Sequence, residues 1–385
     1  MGCRALVLTR IPPLFIYDTL CHRPMLNIVL GNSDHLVISD AILADHGVFW
    51  AAGNCFPVIQ KYPGASAKGI LVSGLTAADI ENLDYYEGGF KFELAACKVT
   101  VGDGFRAAQI YLPGEGAREP GQPWCLGDWI AKWSAISLRA ADEIMGSRGS
   151  VSAAEIASRF SQIMQRAASG VRAVSNENPF RVRSDFDRSK VREFNKSRPY
   201  MNFFAIEEQE VSYTKFDGTM SEKVARAAFI GGDAVIVLPY DPVRDRVMII
   251  EQFRFGLFVR GDTRPWSLEA IAGRIDAGET PQETAHREAQ EETGLDIRKL
   301  LPIAQYYPSP GAVTEYLYSF IGLAELPDEA AGIGGLSSEA EDIKSHILEF
   351  ADLMALIFSG EVEDGQLILS AMWLAGQRDL IRQNA

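Results

Sequence analysis

Apolar residues recur in short runs along the first third of the chain and in longer alternations along its second half. Runs at 14–17, 69–72, 95–101 and 107–112, set apart by Gly and Pro, predict strands. The Gly/Pro-rich stretch 113–122 predicts a loop. Helical spacing follows at 126–136, at 140–145 and, behind the Gly149-Ser150 breaker, at 151–165. Residues 168–198 are polar with basic patches and read as a connector. Beyond them 203–216 alternates like a strand that Gly218 turns. Apolar β runs at 233–239 and 246–252 are joined by the turn-forming Asp241-Pro242-Val243-Arg244-Asp245, and 303–307 and 316–323 read as further strands. Amphipathic helices at about 350–358 and 365–382 complete the pattern. Elements in this order predict an α+β chain with a mixed sheet. The boundaries that go with it are a first domain at 13–135, a helical connector at 136–199 and a second domain at 200–385.

One segment stands apart. Thr280 is placed as an N-cap, Pro281 suits the first helical position, Glu283 completes a capping box and Gly294 supplies a stop, so a helix is predicted over 281–293. On it Glu288 and Glu292 lie four residues apart and share a face, with Glu291 beside them. Three acids so close repel one another unless a cation sits among them, and the hard oxygen-seeking ions Mg²⁺ or Mn²⁺ are the usual solution. A merely solvated acidic helix needs neither Gly273 before it nor the Gly294 stop. The Gly-rich acidic stretch Gly334-Gly335-Leu336-Ser337-Ser338-Glu339-Ala340-Glu341-Asp342 is a candidate loop for delivering a general base, the one group the helix lacks.

Composition narrows the classes. A net charge of −14 argues against a general nucleic-acid binder and against anionic membrane surfaces. At 385 residues with 47% hydrophobic residues the chain has enough apolar material for two cores. Cys3, Cys21, Cys55, Cys97 and Cys125 show no CxxC spacing and read as buried free thiols of a reducing compartment. No apolar run reaches transmembrane length, the apolar stretch 5–8 is too short for a secretory signal, and Leu6 stands where N-myristoylation wants Ser or Thr. A cytoplasmic protein is the expectation.

Gly273, Glu279, Arg287-Glu288, Glu291-Glu292 and Gly294-Leu295 together resemble the Nudix box, with every fixed position filled. From about 203 to 377 the chain resembles the ADP-ribose pyrophosphatase branch of that family. The segments that carry this are Val224-Ala225-Arg226, Ile249-Ile250-Glu251-Gln252-Phe253-Arg254, Pro265-Trp266-Ser267-Leu268-Glu269, Ala272-Gly273, Ser309-Pro310-Gly311 with Thr314-Glu315, and Glu339-Ala340-Glu341-Asp342. The resemblance implies an α/β/α sandwich and hydrolysis of a nucleoside diphosphate sugar, ADP-ribose, to AMP and ribose 5-phosphate. It implies two or three Mg²⁺ (or Mn²⁺) ions per site, held by the Ala272 carbonyl, Glu288, Glu292 and Glu341. It further implies that Glu339 activates the attacking water, and that Glu291 and Arg287 are catalytic, Arg287 by orienting a carboxylate such as Glu279. Arg226, Arg254, Glu269 and an adenine-stacking Phe203 would contact the substrate. Relatives of this branch dimerise by exchanging N-terminal strands, so Phe203 and Arg226 are expected to serve a partner's site.

Phe15-Ile16-Tyr17-Asp18-Thr19-Leu20 and Leu83-Asp84-Tyr85-Tyr86-Glu87-Gly88 resemble the γ-glutamylcyclotransferase-like fold over roughly 13–125. That implies a small mixed β-barrel with helices, in which Glu87 is the acid/base acting on a γ-glutamyl amine. Asp18 replaces the loop glycine that lets such a backbone approach a carboxylate, so a lost or altered reaction is expected. A surface acid after a helix is the equal alternative reading of Glu87. The fusion of the two resembles a bacterial group that includes tellurite-resistance-associated proteins. The rival functions are a Nudix hydrolase of a GDP- or UDP-sugar, an ADP-ribose-binding sensor that does not cleave, and a cyclotransferase housed in the first domain.

Overall fold

A computed structural model describes residues 11–90, 92–114, 118–175, 181–336 and 341–384. The chain forms two compact units, Met1–Ser175 and Asn176–Ala385. Residues 136–199 divide between them, helices to the first and the start of a strand to the second.

The first unit runs β1 (Leu14–Ile16), a 3₁₀ turn at Thr19–Cys21, α1 (Arg23–Leu30), β2 (Val37–Ala51), β3 (Pro57–Ser73), α2 (Ala77–Gly88), β4 (Phe92–Val101), β5 (Gly104–Pro113), β6 (Pro120–Pro123), α3 (Leu126–Gly146), α4 (Ala153–Ser158) and α5 (Phe160–Ser175). Strand order β3-β1-β5-β4-β2, with β2 pairing back onto β3, closes five strands into a barrel, and β6 adds to β2. Side chains alternate across the barrel wall. Phe15 and Tyr17 join Leu43, Ile59, Leu71, Val99 and Ile110 in one cluster fed by all five strands, which is the barrel interior. Leu14 and Ile16 point the other way, into a cluster with Leu26 of α1, Leu83 of α2 and Trp129 of α3. β2 escapes a search for apolar runs because most of its residues are exposed or half-buried. α3 continues through the polar stretch near 137–139 because Ala140, Ala141 and Ile144 extend its buried face.

The second unit opens with an antiparallel three-stranded sheet, β7 (Val191–Met201), β8 (Ala205–Tyr213) and β9 (Val224–Ile230). Next come β10 (Ala234–Asp241), β11 (Arg246–Phe253), α6 (Phe255–Arg260), β12 (Trp266–Glu269), β13 (Ile271–Arg274), α7 (Pro281–Thr293), β14 (Lys299–Tyr306), β15 (Leu317–Leu323), β16 (Ile333–Gly334), β17 (Ile343–Glu349), α8 (Phe350–Ser359) and α9 (Gly365–Gln383). Their main sheet has the order β14-β15-β10-β11-β17-β16, with β12 on β11 and β13 on β10. β10 and β15 are parallel while β10–β13 and β11–β17 are antiparallel, so the sheet is mixed. β10 is buried along its whole length. Ile236 and Leu238 face a cluster with Leu353 of α8 and Leu367 and Leu374 of α9; Val235 and Val237 face Ala285 and Ala289 of α7. One sheet covered by helices on both faces is an α/β/α sandwich.

Among the described residues no helix is long and apolar enough to cross a membrane. The described cysteines are free, but they are not uniformly buried: Cys55 is, Cys21 and Cys97 are half-buried, and Cys125 is exposed.

Candidate active site

The acidic helix forms within the bounds its caps dictate. Thr280 Oγ1 accepts from the Glu283 amide at 3.2 Å, the Thr280 amide donates to Glu283 Oε2 at 2.8 Å, and Gly294 turns the chain left-handed at φ 70°. α7 then lays Glu288 against β13, where Gly273 leaves room for a Glu288 carboxyl that a Cβ there would displace. Glu292 is 2% exposed. Its Oε2 has no hydrogen-bond partner among the described residues.

Such crowding shows in the acidities. Burial pushes Glu288 up to about 7 against the pull of Arg287, with repulsion from Glu291 and Glu341 added. Burial, then Glu288 and Glu341, push Glu292 well above the ordinary carboxylate range, while Arg254 and the Ala272 amide pull it back. Glu341, whose Oε2 accepts from the Leu336 amide at 3.3 Å, thus belongs to the cluster. Among the described residues no three His, Cys, Asp or Glu side chains converge at metal-ligand spacing, so these acids are neighbours rather than a finished cage. Glu339 lies outside the described residues.

Two guanidinium groups organise the acids. Arg287 donates through Nη1 to Glu288 and Glu291, both at 2.8 Å, through Nε to Glu279 at 3.1 Å, and through Nη2 to Glu279 at 3.1 Å and the Arg274 carbonyl at 3.2 Å. Its planar fork holds three box carboxylates in fixed relation, which a point charge cannot do. Arg254 grips Glu269 through Nε at 3.0 Å and Nη2 at 2.6 Å. Because Glu269 is largely buried and Arg254 only half so, the pair offers a guanidinium edge to the cleft with its carboxylate behind it.

Two groups in this cleft, Asp364 and Arg274, carry no signal in the sequence. Asp364 caps α9 by accepting from the Leu367 amide at 2.8 Å, and burial with repulsion from Glu269 pushes its carboxyl up to about 6. Its position before an apolar-periodic stretch marks it as a cap and nothing more. Burial likewise raises Glu315, which Arg274 and Arg254 draw back. Arg274 covers the Phe203 ring at 4.8 Å and the Phe204 ring at 4.9 Å, bringing Phe203 beside the box strand of its own chain. The 309–315 segment is tied to β9 by Phe229 N to Ala312 O at 2.8 Å and Thr314 N to Phe229 O at 3.0 Å. Arg226 is not gathered into this cleft. It lies exposed on β9, donating to the Ala225 carbonyl at 2.9 Å.

Residues 232–368 match the family described as NUDIX domain. Over 175 residues, 46% of this chain and 83% of the relative, the sequence is 35% identical to the ADP-ribose pyrophosphatase of Escherichia coli (strain K12). The chain belongs to the Nudix family.

It is a Nudix pyrophosphohydrolase, and other relatives bracket its specificity. It is 33% identical over 177 residues to the ADP-ribose pyrophosphatase of Haemophilus influenzae (46% of this chain, 81% of that one). It is 31% identical over 173 residues to the GDP-mannose pyrophosphatase of Escherichia coli O9:H4 (strain HS), 45% of this chain and 88% of that one. Residues 14–131 match the family described as Gamma-glutamyl cyclotransferase, AIG2-like, so the Nudix half is preceded by an AIG2-like domain. In that domain Glu87 is not a surface acid. It is 7% exposed and lines a cavity together with Asp18.

Proposed function

We propose that the Nudix half hydrolyses the pyrophosphate of ADP-ribose, adding water to give AMP and ribose 5-phosphate, and that it does so with a divalent cation. The observation that carries this reading is the orphaned, buried Glu292 oxygen amid Glu288 and Glu341. Clustered buried carboxylates whose pKa values are pushed up are stabilised as anions by a hard cation, and the donor set is all oxygen, which fits Mg²⁺ or Mn²⁺. Glu288, Glu292, Glu341 and the Ala272 carbonyl would hold it. A bound ion supplies charge neutralisation for the diphosphate and a more acidic water.

The chain's own groups do the rest. Arg287 fixes Glu288, Glu291 and Glu279 and is a positioning residue, since its hydrogen-bonding edges are committed to them. Arg254, backed by Glu269, presents its guanidinium edge to a phosphate oxygen. Phe203, under Arg274, offers an aromatic face to a purine at the rim. Glu339, by resemblance, takes the proton of the attacking water. Arg226, remote from the cleft of its own chain, serves the site of a second copy in a homodimer.

ADP-ribose is favoured because a relative named for it matches at 35% identity, above the 31% and 33% of the GDP-mannose pyrophosphatases. A GDP-sugar is the second reading, supported by those GDP-mannose relatives. Incubation with Mg²⁺ and, separately, ADP-ribose, GDP-mannose and UDP-glucose tests both. AMP released from ADP-ribose at the highest kcat/KM supports the first; GMP released faster from GDP-mannose replaces it with the second. No product from any of them rejects both.

A further inference from the structure

In the second unit, among the described residues, two buried side-chain atoms stand without a hydrogen-bond partner: Gln252 Nε2 and Glu292 Oε2. One is a donor and the other an acceptor. Gln252 is 7% exposed. It lies two residues past Ile250 on β11 and directly opposite Ile343 on β17, and both of those pack in the cluster with Ala285 and Ala289 of α7. Side chains alternate along a strand and opposed residues share a face, so the Gln252 side chain stands on the α7 side of the sheet. Gly334 of β16 completes that row. A Cβ there would collide with the Glu292 carbonyl, so the last turn of α7 rests on it. Gln252 is thus two strand spacings, roughly 10 Å, from the strand under Glu292. Arg254, two residues further on in extended backbone, shares that face, and its guanidinium feels the Glu292 charge.

A buried amide hydrogen without an acceptor is costly, and so is a buried carboxylate oxygen without a donor; each is what the other lacks. The kind of donor matters. An ammonium or guanidinium at this place would neutralise Glu292 and compete with a cation, whereas a neutral amide holds the carboxylate and leaves its charge intact. A carboxylate offers about four acceptor positions, so the Ala272 amide and one further donor leave lone pairs for an ion. We propose that Gln252 is a positioning residue for Glu292, its Nε2 donating to Glu292 Oε2 when a divalent cation is bound and so fixing the carboxylate that faces the ion. This role presupposes that Glu292 holds such a cation, the reading proposed for the Nudix half. The two atoms are not bonded in the structure, and rotation about the χ angles of Gln252 makes the bond.

Titration of the full-length chain with Mn²⁺, the free ion read by electron paramagnetic resonance, tests the role, with Gln252→Leu, Glu292→Leu and the double variant beside the wild type. Gln252→Leu is expected to weaken Mn²⁺ binding about tenfold or more, as the loss of a group that orients a metal-binding carboxylate does. Its melting temperature without added metal is expected to hold or rise, since an unpartnered buried amide has been replaced by an apolar group. In the Glu292→Leu background the same change should alter the remaining affinity about twofold or less, because the acceptor is already gone. Gln252→Met decides the matter if Gln252→Leu does not fold. Equal Mn²⁺ binding by the wild type and folded Gln252→Leu overturns the proposal and leaves the cation reading standing. Mn²⁺ left free by the wild type rejects that reading and the role of Gln252 together. Weaker binding with a lower melting temperature of the metal-free variant overturns the proposal in favour of a structural amide. A further loss of about tenfold in the Glu292→Leu background overturns the pairing with Glu292.

Discussion

Around Glu288, Glu292 and Glu341 of the Nudix half stand Arg287 and Arg254, whereas around Asp18 and Glu87 of the AIG2-like half the described residues place aromatic rings and no fixed cation. Both arrangements remove carboxylates from water and push their pKa values up for the same reason, burial followed by like-charge repulsion. They differ in what the protein provides to offset it. The guanidinium groups compensate part of the charge and lock the geometry, leaving a defined deficit around the Glu292 oxygen. Among the described residues, arginine orders the first cluster and aromatic rings surround the second.

The largest effect expected is at Glu292. Glu292→Gln removes the carboxylate whose buried oxygen has no partner, and hydrolysis should fall on the order of a thousandfold. The melting temperature should hold or rise, because a buried charge has been neutralised. A variant that loses activity only by unfolding would break the comparison. Arg287→Lys comes next: kcat should drop roughly 10- to 100-fold with KM little changed, since lysine cannot fork to Glu279, Glu288 and Glu291 at once. Arg254→Ala should instead raise KM about tenfold, with the smaller change in kcat, because it removes a phosphate grip rather than the ordering of the box.

The smallest effect sharpens the other side of the comparison. Asp18 has an acidity of about 6 in the folded chain against an ordinary 3.8, so the folded state binds its proton more tightly than the unfolded one. Its contribution to stability is fully present below about pH 4 and is lost as pH rises through about 6. Asp18→Asn should therefore melt a few degrees higher than the wild type at pH 8, and no higher near pH 4. Scanning calorimetry at the two pH values reads the difference.

What the sequence made legible was local. Thr280, Pro281, Glu283 and Gly294 set the ends of α7, and once its period is known Glu288 and Glu292 must share a face. The partnership of Arg287 with Glu279 was also readable, because both lie in one short stretch. What stayed hidden depends on segments distant in the chain. Nothing around Asp364 tells that its cap faces Glu269 and Arg254, and nothing around Phe203 tells that Arg274 covers it. Glu87 shows the limit in part: resemblance marks it as an acid/base, but its burial among aromatic rings appears only in the fold. β2 went unseen because exposed strands lack the apolar runs that betray buried ones.

Electron paramagnetic resonance of Mn²⁺ added to the wild type, Glu292→Gln and Glu87→Gln tests the contrast between the two sites directly. The wild type and Glu87→Gln should both deplete the free Mn²⁺ signal stoichiometrically, and Glu292→Gln should leave most of that ion free. Equal Mn²⁺ binding by wild type and Glu292→Gln would contradict the assignment of the hard-cation site to the Nudix carboxylates.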